Sequence, residues 1–265
     1  MFSNKHDLES IFSVTDSRQN LIKGASTTRQ GGHSDAPFHS FNLGAHVGDN
    51  LANVNANRQR LVDYFGQPIQ WLEQVHGNHV HELTTYTKTP VTADAVFTRL
   101  ANQPIGVLTA DCLPILLASA SGTELAAIHA GWRPLVSGIV ENTVQKFTCK
   151  TRNIHAWLGP CIGAQQFEVG PEVRAQFIQI NTDNDVFFKQ TGNGKFIGDL
   201  HGLAIKILQQ LGVQHIQRSQ CCTVSSGNDF FSYRRDGQTG RMATVIMKNS
   251  LAGPVRKTDS VTNNG

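Results

Sequence analysis

The feature that most constrains this chain is a series of short apolar or alternating runs through its middle. They fall at residues 69–75, 80–83, 95–98, 105–109, 115–118 and 125–128. Runs of this length and pattern are typical of β-strands, because successive strand side chains point to opposite faces of a sheet. The middle of the chain therefore predicts a substantial β-sheet.

Helix signals flank this region. Apolar residues recur at helical spacing from Leu51 to Phe65, after Asp49 or Asn50 as the N-cap and before Gly66 as the stop. Residues 27–34 contain paired glycines and predict a loop. The other predicted elements are helices opening at Pro134 and Pro171, a helix over residues 200–211 between Asp199 and Gly212, and strands at residues 155–158, 213–216 and 242–247.

The domain organisation follows from length and from what the sequence lacks. A chain of 265 residues can form one large domain or two small ones. We find no internal repeat and no linker rich in Pro, Gly or Ser that would separate two domains. Residues 249–265 are polar and aperiodic and predict a disordered tail. The sequence thus predicts a single domain over residues 1–248.

Composition narrows the class of partner and the compartment. The net charge is +3 and the Lys and Arg residues are scattered, which argues against nucleic acid or membrane binding and favours a small molecule. Residues 1–14 mix charged and apolar side chains and lack the apolar stretch of a signal peptide. Five cysteines, an odd number in a chain this long, fit a reducing compartment, so we expect a cytoplasmic protein.

Three segments present metal-ligand side chains where predicted strands end or turn. They carry His76, Cys112 and His129. Two imidazoles and a thiolate suit zinc, and three protein ligands leave a fourth position for water or substrate, as in catalytic sites. The residues alone also allow another interpretation, in which both histidines are hydrogen-bonded core residues and the cysteine is a buried small hydrophobe.

Short motifs along almost the whole chain decide between these interpretations. They include QVHG, TADCLP, HAGWR, LGPCIG and FFSYRRDG, at residues 74–77, 109–114, 129–133, 158–163 and 230–237. Further matching segments lie at residues 27–29, 40–44, 48–49, 57–58 and 92–95. In order and spacing they resemble the YfiH (laccase-domain) family, whose members are described as multicopper polyphenol oxidoreductases or purine nucleoside phosphorylases.

The resemblance implies a fold, a metal and an activity. The implied fold is α+β, a single-domain α/β/β/α sandwich with mixed sheets. Its metal ligands fall on His76, Cys112 and His129, with zinc as the metal. The implied activity is phosphorolysis of adenosine, inosine, guanosine and methylthioadenosine, together with adenosine deamination. The expected partners are a purine nucleoside and phosphate, and the choice between monomer and homodimer stays open.

Other residues receive candidate roles around that metal. Asp111, beside Cys112, or Asp94 can move protons in deamination or orient a metal ligand. Arg29, on its glycine-bearing loop, and Arg234 or Arg235 suit phosphate, although arginines also lie over surfaces or pair with carboxylates. Three further candidates are Cys161 as a second reactive thiol or a packing residue, Trp132 as a purine-stacking or core residue, and Asn42 as a substrate-binding residue.

Three alternatives to zinc-dependent purine chemistry remain. Two histidines and a cysteine also form the equatorial set of a blue-copper centre, but a multicopper oxidase needs several His-x-His pairs and the chain has only His79 with His81. A cysteine hydrolase would use Cys112 as nucleophile and His129 as base, and some family members are linked to peptidoglycan editing. A non-enzymatic metal-binding protein is the third class.

Overall fold

The computed structural model describes residues 8–15 and 21–249. In this part of the chain the helices are α1 (Leu51–Phe65), α2 (Trp132–Val136), α3 (Ile139–Val144), α4 (Pro171–Ile180), α5 (Leu200–Gln210) and α6 (Tyr233–Asp236). α1 begins where the Asn50 side chain accepts a hydrogen bond from the Ala52 amide and ends at Gly66, whose φ is 77°. Asp199 caps α5 in the same way. These local signals work as the sequence predicts.

The helix predicted from Pro134 differs from the expectation. The structure starts the helix at Trp132, ends it at Val136 and begins a second helix at Ile139. Gly138 lies between them with a φ of 87°, a left-handed conformation that interrupts the helical hydrogen-bond ladder. The apolar residues on both pieces still face the core, which is why the spacing resembled one helix.

The strands form two main sheets and two small ones. They are β1 (Leu8–Thr15), β2 (Leu21–Thr27), β3 (Leu72–Glu73), β4 (Val80–Leu83), β5 (Val91–Thr92), β6 (Ala95–Thr98), β7 (Ile105–Thr109), β8 (Leu113–Ser119), β9 (Leu125–Ala130), β10 (Ile154–Leu158), β11 (Glu168–Val169), β12 (Phe188–Gln190), β13 (Phe196–Gly198), β14 (His215–Arg218) and β15 (Met242–Asn249). One sheet has the order β14-β10-β8-β9-β6-β4, and the other has the order β1-β2-β15-β7. The six-stranded sheet is mixed, because β4 with β6 and β10 with β14 are parallel pairs while its central pairs are antiparallel.

Two strand predictions need correction. Residues 69–75 form only the short β3, because Gln70 makes a single bridge to Ile105 and the chain then turns towards the site. The strand predicted at residues 213–216 lies at β14, two residues later. β1 and β2 were not predicted at all. The β2 sequence contains glycine and small polar residues, so its apolar pattern is weak, and pairing with β1 and β15 makes it a strand.

The apolar residues arrange these elements in four layers. Between the two sheets lie side chains of the six-stranded sheet, such as Leu116 and Trp157, with Val107 and Ile246 of the four-stranded sheet. The opposite face of the six-stranded sheet packs against α2 to α5, and α1 covers the outer face of the four-stranded sheet. This order confirms the expected α/β/β/α sandwich.

Two further expectations concern extent and membranes. Residues 250–265, the bulk of the predicted tail, lie outside the described residues, so the domain limits of 1–248 and 249–265 stay predictions. Among the described helices, none combines the length and the apolar character that crossing a bilayer requires.

Candidate metal centre

The structure brings the three predicted ligands together. His76 follows β3, Cys112 immediately precedes β8, and His129 lies near the end of β9. Their donor atoms all lie within 4.8 Å of one another, and the Cys112 Sγ is 4.0 Å from the His76 Nε2. His129 is buried, Cys112 is partly buried and His76 is exposed, so the cluster opens to solvent on one side.

Strand register explains why Cys112 and His129 meet. In the antiparallel pair of β8 and β9, Leu113 lies opposite Ala130 and Pro114 opposite His129. This register places Cys112 beside Gly131, where a Cβ would lie only 2.7 Å from the Cys112 Sγ. The absence of a side chain at Gly131 is therefore what leaves room for the thiol.

His76 reaches the cluster through a strained turn. Its φ is 59° and that of Asp111, next to Cys112, is 90°, both in the left-handed region that non-glycine residues rarely occupy. Strain of this kind persists where the surrounding contacts determine the backbone, and such positions cluster at functional sites. Both strained residues, His76 and Asp111, lie in segments that carry a predicted ligand of this centre.

The Asp94 carboxylate supports the cluster from its buried side. It has no exposed surface and accepts a hydrogen bond from the His129 Nδ1 at 2.8 Å. It also accepts from the backbone amides of His76 at 3.0 Å and Gly77 at 2.6 Å, and more weakly from Val75 at 3.3 Å. One carboxylate thus shapes the turn that carries His76 and leaves the Nε2 of His129 facing the cluster, as metal-bound histidines require.

Electrostatics favour an ionised thiol in this arrangement. Burial opposes ionisation of Cys112, but the charge of His129 and hydrogen bonds from both histidines outweigh it and lower the thiol pKa to about 6. Burial likewise opposes protonation of His129, while Cys112 and Asp94 together raise the imidazole pKa to about 9. Burial also disfavours the Asp94 carboxylate, but hydrogen bonds from His129 and the Gly77 amide hold its pKa below the usual range.

These residues fit a zinc ion. Ligand atoms in a tetrahedral zinc site lie roughly 3.5 Å apart, so distances of up to 4.8 Å between the donors need only small side-chain adjustments. A thiolate with two neutral imidazoles is a borderline-soft donor set, and such a set binds zinc in preference to hard cations. Within the described residues, three protein donors converge, which leaves a coordination position for substrate.

A pocket of about 800 Å³ opens beside the three ligands. It lies within the range of small-molecule sites. Val75 and Tyr233 on its wall are 56% and 63% exposed, an unusual degree for large apolar side chains. The other lining residues are Ala45, His46, Arg58, Trp71, Leu72, Glu73, Gln74, Thr89, Pro90, Leu108, Thr109, Ala110 and Arg241.

Sequence reasoning missed most of that lining, although Arg58 carried a readable signal. On α1 the buried residues are Val54, Asn57, Leu61 and Phe65, and Arg58 falls inside this stripe at positions four after Val54 and three before Leu61. An arginine on the inward stripe of an amphipathic helix indicates a polar partner or a ligand. We see no comparable signal for the remaining lining residues.

Asp111 and Asn42 both lie in hydrogen-bond networks next to the pocket. Asp111 accepts from the Thr223 and Ser232 hydroxyls and from the Arg234 amide, which ties three loops to the strained turn before Cys112. Asn42 is fully buried and exchanges hydrogen bonds with neighbouring backbone and with Asp49. Neither side chain lines the pocket.

The remaining candidates also lie off the pocket wall. The Arg29 guanidinium donates to the His39 and Gly227 carbonyls and lies 4.7 Å from the Phe231 ring. The Arg234 guanidinium donates to the Gln166 carbonyl, and Trp132 packs against the helix-side core.

Cys161 is fully buried, 3.6 Å from the His201 Nδ1. Burial, with smaller contributions from nearby acidic groups, raises its thiol pKa well above the usual value. Cys112, Cys149, Cys161 and Cys222 are free thiols. Cys161 is therefore a poor nucleophile in this environment.

Known proteins similar to this chain agree with the geometry. A purine nucleoside phosphorylase of Haemophilus influenzae is 45% identical over 229 residues, covering 85% of this chain and 93% of the relative. The purine nucleoside phosphorylase YfiH of Escherichia coli K12 is 45% identical over 227 residues, with the same coverage.

Solved structures show the same fold. A Neisseria meningitidis protein, 37% identical, superimposes with a TM-score of 0.88 over 92% of this chain and all of its own. YlmD of Geobacillus stearothermophilus, 30% identical, gives a TM-score of 0.81 over 89% of this chain and 98% of its own. Residues 23–249 match the family model described as multi-copper polyphenol oxidoreductase laccase. The chain therefore belongs to the YfiH (laccase-domain) family, as its motifs predicted.

Proposed function

We propose that this chain is a zinc-dependent purine nucleoside phosphorylase of the cytoplasm that also deaminates adenosine. The observation that carries the proposal is the convergence of His76, Cys112 and His129 on the wall of a pocket large enough for a nucleoside. The relatives named purine nucleoside phosphorylase support the same reaction class.

The residues of the pocket have separable tasks in this proposal. His76, Cys112 and His129 hold the ion, which when bound supplies a Lewis acid beside the substrate. Asp94 keeps the Nε2 of His129 directed at the ion. The exposed apolar surface of Val75 and Tyr233 packs against the purine and excludes water from one of its faces.

Two reactions share this pocket. In phosphorolysis a phosphate oxygen bonds to the ribose C1′ carbon, the bond from C1′ to the purine nitrogen breaks, and the base leaves with that electron pair and takes a proton from solvent. In deamination a water oxygen bonds to the purine C6 carbon and the amino group leaves as ammonia. One proton of the water departs with the ammonia and the other stays on the ring.

The carboxylates act by positioning in both reactions. Asp94 and Asp111 each accept at least three hydrogen bonds, so protein donors occupy most of their lone pairs. We assign Asp94 to orienting two of the ligands and Asp111 to holding the turn that carries Cys112. Proton transfer then falls to solvent and to the phosphate itself.

The direct test is turnover by metal-quantified protein. Adenosine and inosine are incubated with and without phosphate, and hypoxanthine, adenine and ribose 1-phosphate are measured. We expect phosphate-dependent release of free base from both nucleosides and phosphate-independent conversion of adenosine to inosine. Absence of every product with zinc-loaded protein contradicts the proposal.

A second candidate rests on one specific arrangement. Cys112, His129 and Asp94 are ordered as nucleophile, base and orienting carboxylate, which is the geometry of a cysteine hydrolase. Chelation separates the two functions, because a hydrolase retains activity without metal and loses it when Cys112 is alkylated, whereas the zinc enzyme loses activity under both treatments. Metal analysis and a visible absorption band test for copper in the same preparation.

A further inference from the structure

One end of the pocket is cationic, and it lies apart from the residues that have roles in the proposed reaction. Arg58, Arg241 and His46 all line this end. The Arg58 Nε donates to the Leu43 carbonyl at 3.0 Å, and its guanidinium lies 4.9 Å from the centre of the Trp71 ring. These contacts hold the guanidinium in place, and among the described residues its terminal nitrogens have no hydrogen-bond partner, so they can bind a ligand.

Arg241 is held in the same manner. One of its terminal nitrogens donates to the carbonyls of Thr239 and Gly240, both at 2.9 Å. The backbone amide of Arg241 donates to the Asn42 side chain, which fixes the start of β15 against the loop that carries His46. Both arginines are thus preorganised by backbone contacts, and neither is an extended surface side chain.

These charges lack the counter-ions that other arginines have. Arg99 pairs with Glu82 and Glu124, and Arg235 pairs with Asp236. Within residues 22–249, where side chains are described, neither Arg58 nor Arg241 lies within ion-pair distance of a carboxylate.

Burial adds to the cost of this arrangement. Burial lowers the pKa of both guanidinium groups, and at Arg241 it outweighs the opposing influence of Cys112, Asp111 and Tyr233. Burial and the charges of Arg241 and Arg58 also lower the pKa of His46, so this imidazole lies in the field of both arginines. Like charges that are partly removed from water destabilise a fold unless an anion neutralises them.

We infer that Arg58 and Arg241, with His46 beside them, form the subsite for free phosphate, the second substrate of the proposed phosphorolysis. The inference rests on the proposed function and names the residues that take its anion. Guanidinium groups bind phosphate oxygens through paired, charge-assisted hydrogen bonds, and both of these arginines line the pocket. Arg29 and Arg234, the candidates from the sequence, donate to backbone carbonyls outside it.

Steady-state kinetics on the zinc-loaded full chain test this assignment. The variants are Arg58→Gln, Arg241→Gln and the charge-preserving Arg58→Lys, with Arg60→Gln as a matched control on the same helix outside the pocket. Each loss of charge should raise the KM for phosphate about 10-fold to 100-fold, the effect of losing a charge-assisted pair. Arg58→Lys should recover part of this loss, and the KM for inosine should change far less.

Calorimetry gives a readout that does not need turnover. Wild-type zinc-loaded protein is titrated with inorganic phosphate and, separately, with inosine 5′-monophosphate. We expect saturable binding of inorganic phosphate that weakens at least 10-fold in Arg241→Gln, which serves even if Arg58→Gln fails to fold. No binding of phosphate by the wild type, or binding of the nucleotide alone, overturns the inference.

The two measurements separate this inference from the proposed function. If wild-type protein binds phosphate at these residues but releases no base from any nucleoside, the subsite stands and the phosphorylase proposal fails. If phosphorolysis proceeds and both glutamine variants keep a KM for phosphate within twofold of wild type, the phosphorylase stands and the subsite is wrong.

Discussion

Replacement of Asp94 by asparagine isolates what one buried carboxylate does for the metal centre. Asp94 Oδ1 accepts from the His129 Nδ1 and the His76 amide, and Oδ2 accepts from the Gly77 and Val75 amides. Asparagine is nearly the same size but replaces one of these oxygens with a donor. Whichever way the amide turns, one pair of N–H groups then faces an NH₂ group, and the negative charge is lost.

The expected magnitude follows from these contacts. Loss of a carboxylate that orients a metal-bound histidine weakens metal affinity by roughly 10-fold to 100-fold, or about 1.4 to 2.8 kcal/mol. Buried donors left without an acceptor cost about 1–3 kcal/mol of folding free energy. For a chain of this size that corresponds to a fall in Tm of roughly 3–10 °C in the metal-free protein.

The assay is competition for zinc against a chromogenic chelator, with thermal unfolding of the metal-free proteins alongside. Glu124→Gln is the matched control, since Glu124 is also a buried carboxylate, 3% exposed, that accepts from the Thr148 and Cys149 amides far from the ligands. We expect both variants to lose stability and only Asp94→Asn to lose zinc affinity. Zinc binding by Asp94→Asn within threefold of wild type would refute the role given to this carboxylate.

Three further predictions concern single side chains. In Cys112→Ala the zinc content measured by elemental analysis should fall close to zero, because the two remaining imidazoles hold the ion weakly. Gly131→Ala should weaken zinc binding at least about 10-fold, since its Cβ would lie 2.7 Å from the Cys112 Sγ. The control Gly66→Ala, at a φ of 77°, should lower the free energy of unfolding by about 1 kcal/mol in chemical denaturation and leave zinc affinity unchanged. Asn57→Ala should destabilise the fold by about 2–4 kcal/mol, because this fully buried amide bonds to the loop of residues 33–42; full stability of this variant would contradict the reasoning.

Several features of this protein could be predicted from the sequence because they depend on neighbours along the chain. Asn50 and Gly66 delimit α1, and Asp199 begins α5, since a cap satisfies backbone groups of the adjacent turn. The apolar runs of β4, β6 and β7 have the predicted limits, because burial on a sheet face imposes a short, local pattern. The motifs around His76, Cys112 and His129 indicated the family and its ligands.

Other features were decided only by contacts between distant segments. Most of residues 69–75 do not form a strand, because the Gln74 side chain hydrogen-bonds to the backbone of Leu108 in β7 and the Asp94 carboxylate accepts from the amide of the following turn. The helix after β9 breaks at Gly138, and β2 exists because β1 and β15 pair with it. No pattern within a single segment encodes these pairings.

The pocket shows the difference most clearly. Arg29 and Arg234 have the residue type and the glycine-rich or basic surroundings of phosphate ligands, yet their guanidinium groups bond to carbonyls outside the pocket. Arg58 and Arg241, 183 positions apart by number, both line it. The sequence by itself determined which side chains are the candidate metal ligands of this protein, because their types and motifs are local. Tertiary structure decided which charges line the pocket, because the burial that defines such a site arises only when remote segments pack together.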